Sequence, residues 1–235
     1  MPRESKAGRQ ARALDLLAGL ERIYPDADCA LHWKNPFQLL VATILSAQTS
    51  DEQVNKLTPD LFRRFPNPAA FAAASQEEVE GAIRTIGLFR NKAKNLRLMS
   101  QRLCEEFDGE VPQAMEALIA LPGVARKTAN VLLGTAFGMP TGIVVDTHVH
   151  RLAVRMGLCK RTERYPEKVE QELMPLFPQD KWVFVGHALI LHGRGVCTAR
   201  TPDCGQCRLN AACPKHLDAW EKLACVLRSG RSSKS

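Results

Sequence analysis

Along this chain apolar residues return every three or four positions far more often than every second one, the period of helices that bury one face. Asn35-Pro36 offers an N-cap with proline at the first helical position, and Phe37, Leu40, Val41, Ile44 and Leu45 follow at helical spacing. Ser50-Asp51-Glu52-Gln53 reads as a capping box ahead of Val54, Leu57, Leu61 and Phe65, with Pro59 placed to kink or split that helix. Ser75-Gln76-Glu77-Glu78 is a second capping box, opening a helix that carries Val79 and Ile83 and that Gly87 is expected to end in a left-handed cap.

A longer helix is predicted from about Arg90 to Phe107, closed by Gly109 and Pro112, and another from Gln113 to Leu121. That one meets a tight Pro122-Gly123 turn. The next helix begins near Arg126 and ends around Gly138 and Pro140. Further helices are predicted over 147–157, 166–176 and 180–192. The one β-branched cluster, Ile143–Val145, is short. Amphipathic helices joined by short loops predict an all-α fold. Leu227–Ser235 reads as a polar, basic and mobile tail.

At 235 residues, with 45% hydrophobic and 24% charged positions, the chain has ordinary globular usage, which argues against disorder outside the ends. No apolar run reaches membrane-spanning length, and Met1–Gln10 lacks the apolar core of a secretory signal, so an intracellular protein with no membrane partner is expected. The formal net charge is +7, and residues 181–235 hold nine Lys or Arg against three acids. Such a concentrated basic segment suits a polyanionic partner, since it gains free energy by displacing counterions from phosphates; a solvated basic tail would look the same by charge alone.

Of eight cysteines, Cys197, Cys204, Cys207 and Cys213 lie within seventeen residues in the pattern C-x6-C-x2-C-x5-C. Four thiolates so close in sequence can converge on one metal centre. Zinc prefers two C-x2-C knuckles and here there is one, so spacing alone leaves zinc and iron–sulfur open. A disulfide pair does not suit an intracellular chain. Cys29, Cys104, Cys159 and Cys225 are scattered and read as free thiols.

Two further segments carry chemistry. Leu121-Pro122-Gly123-Val124-Ala125-Arg126-Lys127-Thr128-Ala129-Asn130 joins two predicted helices through a very short turn, where backbone N–H groups can hold a phosphate without reading sequence. A plain αα-corner or a transcription-factor-type helix–turn–helix would share the pattern. Lys127 falls in the first turn of the second helix. There the positive end of the helix dipole and neighbouring Arg126 disfavour a cation, and a neutral amine is what attack on a sugar carbon requires; a phosphate-binding lysine is the other reading. Ile143-Val144-Val145-Asp146-Thr147-His148 places an acid after an apolar run and before a helix, where Asp146 is also a good N-cap.

The cysteine spacing, followed by Pro214, resembles the [4Fe–4S] loop of the endonuclease III family of DNA glycosylases, and the Leu121–Asn130 segment resembles the helix–hairpin–helix of the same superfamily. The resemblance runs from about residue 30 to Pro214, with hairpin and lysine, aspartate segment and cysteine loop in the family's order. It implies two helical domains: a six-helix barrel domain over 29–139 containing the helix–hairpin–helix, and a [4Fe–4S] cluster domain from 1–28 and 140–214, followed by a C-terminal extension over 215–235. It implies a bifunctional glycosylase and abasic-site lyase acting on oxidised pyrimidines, with Lys127 as nucleophile and Asp146 as catalytic acid partner. By the same resemblance Cys197, Cys204, Cys207 and Cys213 ligate the cluster, and Gln48 and Leu88 are wedges that fill the hole left by an extruded base.

The resemblance also makes Gly123, Ala125, Arg126, Arg200 and His148 DNA contacts, with His148 and His150 structural or phosphate-contacting rather than catalytic, and lets Asp51 shape the pocket. The implied partner is double-stranded DNA with damaged bases or abasic sites, bound by a monomer in the cytoplasm. A monofunctional glycosylase, which generally lacks lysine at the position of Lys127, and a non-catalytic iron–sulfur DNA-binding protein are the alternatives. One departure stands out: the family usually has glycine where this chain has Ala125, and a left-handed backbone there would cost alanine roughly 1–2 kcal/mol.

Overall fold

The computed structural model describes residues 4–229, and among them every regular element is helical. In chain order these are α1 (Lys6–Ile23), α2 (Pro36–Leu45), α3 (Asp51–Arg64), α4 (Pro68–Ala73), α5 (Gln76–Ile83), α6 (Phe89–Glu106), α7 (Met115–Ala120), α8 (Arg126–Ala136), α9 (Thr147–Arg155), α10 (Pro166–Leu173), α11 (Trp182–Gly195) and α12 (Leu217–Ser229). Short 3-10 turns at Met174–Leu176, Gln179–Lys181 and Asn210–Ala212 complete the set. The β-branched run Ile143–Val145 forms a buried loop instead of a strand. No described helix is long and apolar enough to cross a membrane.

The contacts divide the chain into two units, one running to Asp28 and resuming at Gly142, the other Cys29–Thr141. The Cys29–Thr141 unit holds α2 to α8. Its helix starts follow local chemistry: Asn35 accepts from the amide of Gln38 with Pro36 in the first turn, and Ser50 accepts from Gln53 N. Ser75 and Glu78 cap each other's backbone reciprocally. Helix α3 runs through Pro59 to Arg64, so the proline does not split it. Asn67-Pro68 repeats the Asn35-Pro36 signal and starts α4, which packs on α6. Leu39, Leu40 and Leu45 of α2 are fully buried with Leu96 and Met99 of α6 and Leu132 and Leu133 of α8. Each such side chain contributes about 1.5–3 kcal/mol of transfer free energy.

Two sequence expectations need correction. Gly87 is not the left-handed residue after α5. That conformation falls on Leu88 at φ 59°, the N-cap of α6, because α6 starts one residue earlier than predicted, at Phe89. The expected tail from Leu227 instead continues α12 to Ser229, while the remainder of that tail lies outside the described residues. Helix α12 forms because one face is apolar: Ala219 and Leu223 are buried in the core, and the Trp220 ring meets His150 edge-on at 5.5 Å.

The other unit is organised around α9, on which Val149 through Arg155 are all buried. Leu152 and Ala153 join Leu16 and Leu20 of α1 and Val185, Ala188 and Leu189 of α11 in one core. Helix α9 therefore carries buried polar residues, His150, Arg151 and Arg155, among its apolar ones. Their polar atoms must find partners inside the unit.

Candidate active site and metal centre

The hairpin between α7 and α8 is built by three residues. Leu121 and Val124 are buried and pin the loop down, and Val124 N closes the turn on Leu121 O at 3.1 Å. Gly123 adopts φ +80°, and a Cβ there would stand 2.9 Å from Cβ of Asn95, so both conformation and space demand glycine. Ala125, by contrast, has φ −88° and ψ 164°, an extended conformation open to any residue. The left-handed strain anticipated for this alanine is therefore absent.

As N-cap of α8, Ala125 has no side chain to accept from the first-turn amides. That end of α8 lies at the surface, beside the exposed side chains of Arg126 and Lys127. Further along, Ala129 to Leu133 bury the helix in its unit, and buried Asn130 accepts from Thr141 Oγ1 at 3.1 Å. Lys127 is thus a projecting amine on a firmly seated helix.

In the other unit, the buried run Ile143–Val145 delivers Asp146 to the start of α9. Its Oδ1 accepts from the amides of His148 and Val149, both at 2.8 Å. Both bonds end on one oxygen, so the cap fixes the carboxylate's orientation while Oδ2 takes no part in it. His148 is half-buried and meets Arg151 Nη2 at 3.2 Å through Nδ1; burial pulls its pKa below the ordinary imidazole value. Arg151 also donates to Gly193 O at 2.7 Å and Cys197 O at 3.0 Å, which ties α9 to the start of the cysteine segment.

Gln48 and Leu88 share an unusual backbone. Both are exposed and both are non-glycine residues with positive φ, 55° and 59°. Each such residue costs on the order of 1–2 kcal/mol. Leu88 also leaves 52% of its surface to solvent. The two turns run side by side, since a Cβ on Gly87 would lie 3.7 Å from Gln48 O. Local strain together with an exposed apolar side chain serves no packing purpose and points to function. Asp51, half-buried, opens α3 just after this turn.

The four clustered cysteines are free thiols, and all four line one pocket with Arg155 and His192. His192 Nε2 stands 3.5 Å from Cys207 Sγ, and its Nδ1 meets the Tyr24 hydroxyl at 3.1 Å. Arg155 Nη1 lies 3.5 Å from Cys197 Sγ. Asn210 Nδ2 donates to Cys204 O at 2.9 Å and steadies the tip of the segment. Burial pushes the thiols of Cys207 and Cys213 up, so thiolates there require a compensating cation. Four soft donors in a pocket, with the Arg155 guanidinium against one and the His192 ring nitrogen against another, suit an iron–sulfur group. Among the described residues no three Cys, His, Asp or Glu are grouped as they would be around a single metal ion. Arg200 is exposed on the loop between the first two cysteines.

Sequence reasoning did not single out Arg155, Arg151, His192, Tyr24 or Lys92. Helical spacing aligns Arg151 with Arg155, but nothing local ties Tyr24 to His192, which lie 168 positions apart.

A model of the HhH-GPD superfamily of base excision DNA repair proteins matches residues 41–179. The chain is 52% identical over 208 residues to endonuclease III of Synechocystis sp., covering 88% of this chain and 94% of that protein. It is 44% identical over 208 residues to endonuclease III of Escherichia coli, covering 87% and 95%. Among solved structures, a non-covalent endonuclease III–DNA complex superposes with TM-score 0.84 at 40% identity, covering 92% of this chain and 98% of that one. A trapped endonuclease III–DNA covalent intermediate gives 0.83 at 40% identity, covering 91% and 97%.

Proposed function

Since the chain belongs to the endonuclease III family within the HhH-GPD superfamily of base excision DNA repair proteins, we propose that it is a bifunctional DNA glycosylase and abasic-site lyase for oxidised pyrimidines, with Lys127 as nucleophile. The observation that carries this reading is the exposed Lys127 amine in the first turn of α8, a helix start that no N-cap side chain occupies, on a hairpin that needs glycine at Gly123. A surface helix start without a side-chain cap suits a DNA phosphate, a contact that positions without reading sequence.

In the proposed reaction the Lys127 amine attacks the anomeric carbon of an extruded nucleotide. The carbon–nitrogen bond to the base breaks, and the base leaves with the bonding pair and takes up a proton. Loss of the amine proton and opening of the sugar ring give a protonated Schiff base. Abstraction of a C2′ proton then expels the 3′ phosphate by β-elimination, and water releases the lysine. The Asp146 carboxylate stabilises positive charge developing on the sugar, held in orientation by its cap to His148 and Val149. Gln48 and Leu88 occupy the space of the extruded base, and Arg126, Arg200 and His148 contact the DNA backbone.

Cys197, Cys204, Cys207 and Cys213 would hold a [4Fe–4S] cluster, whose contribution when bound is to brace the loop that carries Arg200. Arg155 donates toward Cys197 Sγ and offsets thiolate charge, and the His192 ring packs its Nε2 against Cys207 Sγ.

Borohydride trapping on a duplex with an abasic site or thymine glycol tests the mechanism. The wild-type protein is expected to form a stable covalent adduct and Lys127→Ala none. An adduct formed by Lys127→Ala as efficiently as by wild type would sink the assignment. Purified protein should carry iron and sulfide; a colourless preparation with stoichiometric zinc would exclude the cluster.

A further inference from the structure

Lys92 lies in the first turns of α6 with 4% of its surface exposed. Its ammonium donates to Leu45 O at 2.8 Å and to Thr49 Oγ1 at 2.9 Å. Leu45 ends α2, so its carbonyl is one of those a helix end leaves without an intrahelical partner. Thr49 directly follows Gln48, and its amide closes the turn on Ser46 O at 3.1 Å. The backbone amide of the same lysine donates to Leu88 O at 3.0 Å. One residue therefore grips the Gln48 turn with its side chain and the Leu88 turn with its main chain. The two turns already run side by side at Gly87 and Gln48, and the two exposed residues they carry share the left-handed backbone.

A buried cation is an expensive way to close a helix, because desolvation disfavours its charge and no carboxylate among the described residues pairs with it. Burial accordingly lowers the pKa of this lysine. Water or a small polar side chain would satisfy the end of α2 equally well. What they would not do is couple that end rigidly to α6.

We propose that Lys92 is a positioning residue that locks the Gln48 and Leu88 turns into a single wedge, so that extrusion of a base from paired duplex depends on it. The inference rests on the reading of Gln48 and Leu88 as wedge residues. Lys92 itself touches neither DNA nor the reacting atoms.

The test compares single-turnover base release from thymine glycol in a fully paired duplex with release from the same lesion in an unpaired bubble, where little stacking has to be broken. For Lys92→Met the ratio of paired to bubble rates should fall by about tenfold or more, with a smaller fall in the same direction for Thr49→Val. Gln48→Ala and Leu88→Ala serve as reference variants and should lower the same ratio. Should Lys92→Met fail to fold, Thr49→Val decides, because it removes one acceptor of the grip without burying an unpaired charge. Equal slowing on both substrates, the signature of general destabilisation, overturns the proposal, and so does an unchanged ratio. If Gln48→Ala and Leu88→Ala leave the ratio untouched, the wedge reading fails and the inference falls with it. If they lower it while Lys92→Met and Thr49→Val do not, the role of Lys92 alone is refuted.

Discussion

Arg155, with 1% of its surface exposed, donates from its guanidinium to the carbonyl of Thr198 at 2.6 Å. The same side chain donates to Ala199 O at 2.8 Å, and its own carbonyl accepts from His216 N at 2.8 Å. One residue of α9 thus fastens the chain just after the first clustered cysteine and just after the last. The grip is local in space although more than forty positions separate the partners in sequence.

Arg155→Met should therefore loosen the cysteine segment before anything else. It strips two part-buried carbonyls of a charged donor, a loss of roughly 1.5–3 kcal/mol by typical values for bonds to a charged group. The expected result is a lower urea midpoint together with lower iron content per chain. Retention of full iron content and an unchanged midpoint would contradict the bracing role.

Asp146 allows cap and charge to be separated. Asparagine caps a helix about as well as aspartate, whereas alanine costs about 1 kcal/mol. Asp146→Asn should keep wild-type stability to within about 0.5 kcal/mol while base release falls by about 100-fold or more, and Asp146→Ala should lose both. Activity retained in Asp146→Asn would reduce the residue to a helix cap.

Gly123 and Ala125, two positions apart in the hairpin, should respond oppositely to exchange. Gly123→Ala forces a Cβ into a left-handed backbone and against Asn95, and should destabilise by about 1–3 kcal/mol and weaken DNA binding. Ala125→Gly relieves nothing, because φ is −88° there. It should leave stability the same or reduce it by up to about 1 kcal/mol through the added freedom of the unfolded chain. Paired thermal melts measure both; a stabilising Ala125→Gly would mean the hairpin is strained after all.

These cases also mark how far the sequence could be read. Helix starts were legible where a few adjacent residues decide them, as at Asn35-Pro36 and Ser75 to Glu78, because capping is local chemistry. Even there, handedness at the end of α5 was misplaced by one residue, since the start of α6 and not the glycine sets it. Helix α12 was missed although Trp220, Leu223 and Leu227 recur at helical spacing, since it lies beyond Pro214, where the motifs end, and runs into a basic tail. The cysteine spacing picked out one set of sulfurs, but not Arg155, His192 or Tyr24. Lys92 left no trace, since a lysine on an amphipathic helix reads as solvated until packing covers it. Buried polar partners are chosen by tertiary proximity, which periodicity does not encode.

His150 makes the stability of its unit sensitive to acid. The ring is 5% exposed, donates from Nε2 to Glu163 O at 2.8 Å and packs against Trp220 of α12. Burial is the largest influence and lowers its pKa below 6.5, outweighing the opposing pull of Glu163. The folded state then binds fewer protons than the unfolded chain once the pH drops below the unfolded value. The stabilisation is fully present above 6.5 and is lost as pH falls through the folded value. His148, His192 and His216, in the same unit, are lowered in the same direction, His192 to about 4, so the effect is shared among the four. His150→Gln keeps a donor for Glu163 O but cannot take up a proton. It should start somewhat less stable through loss of the Trp220 contact, yet lose less of its urea midpoint between about pH 7.5 and about pH 5.5. A variant whose midpoint falls as steeply with acid as that of wild type would show that His150 does not set this dependence.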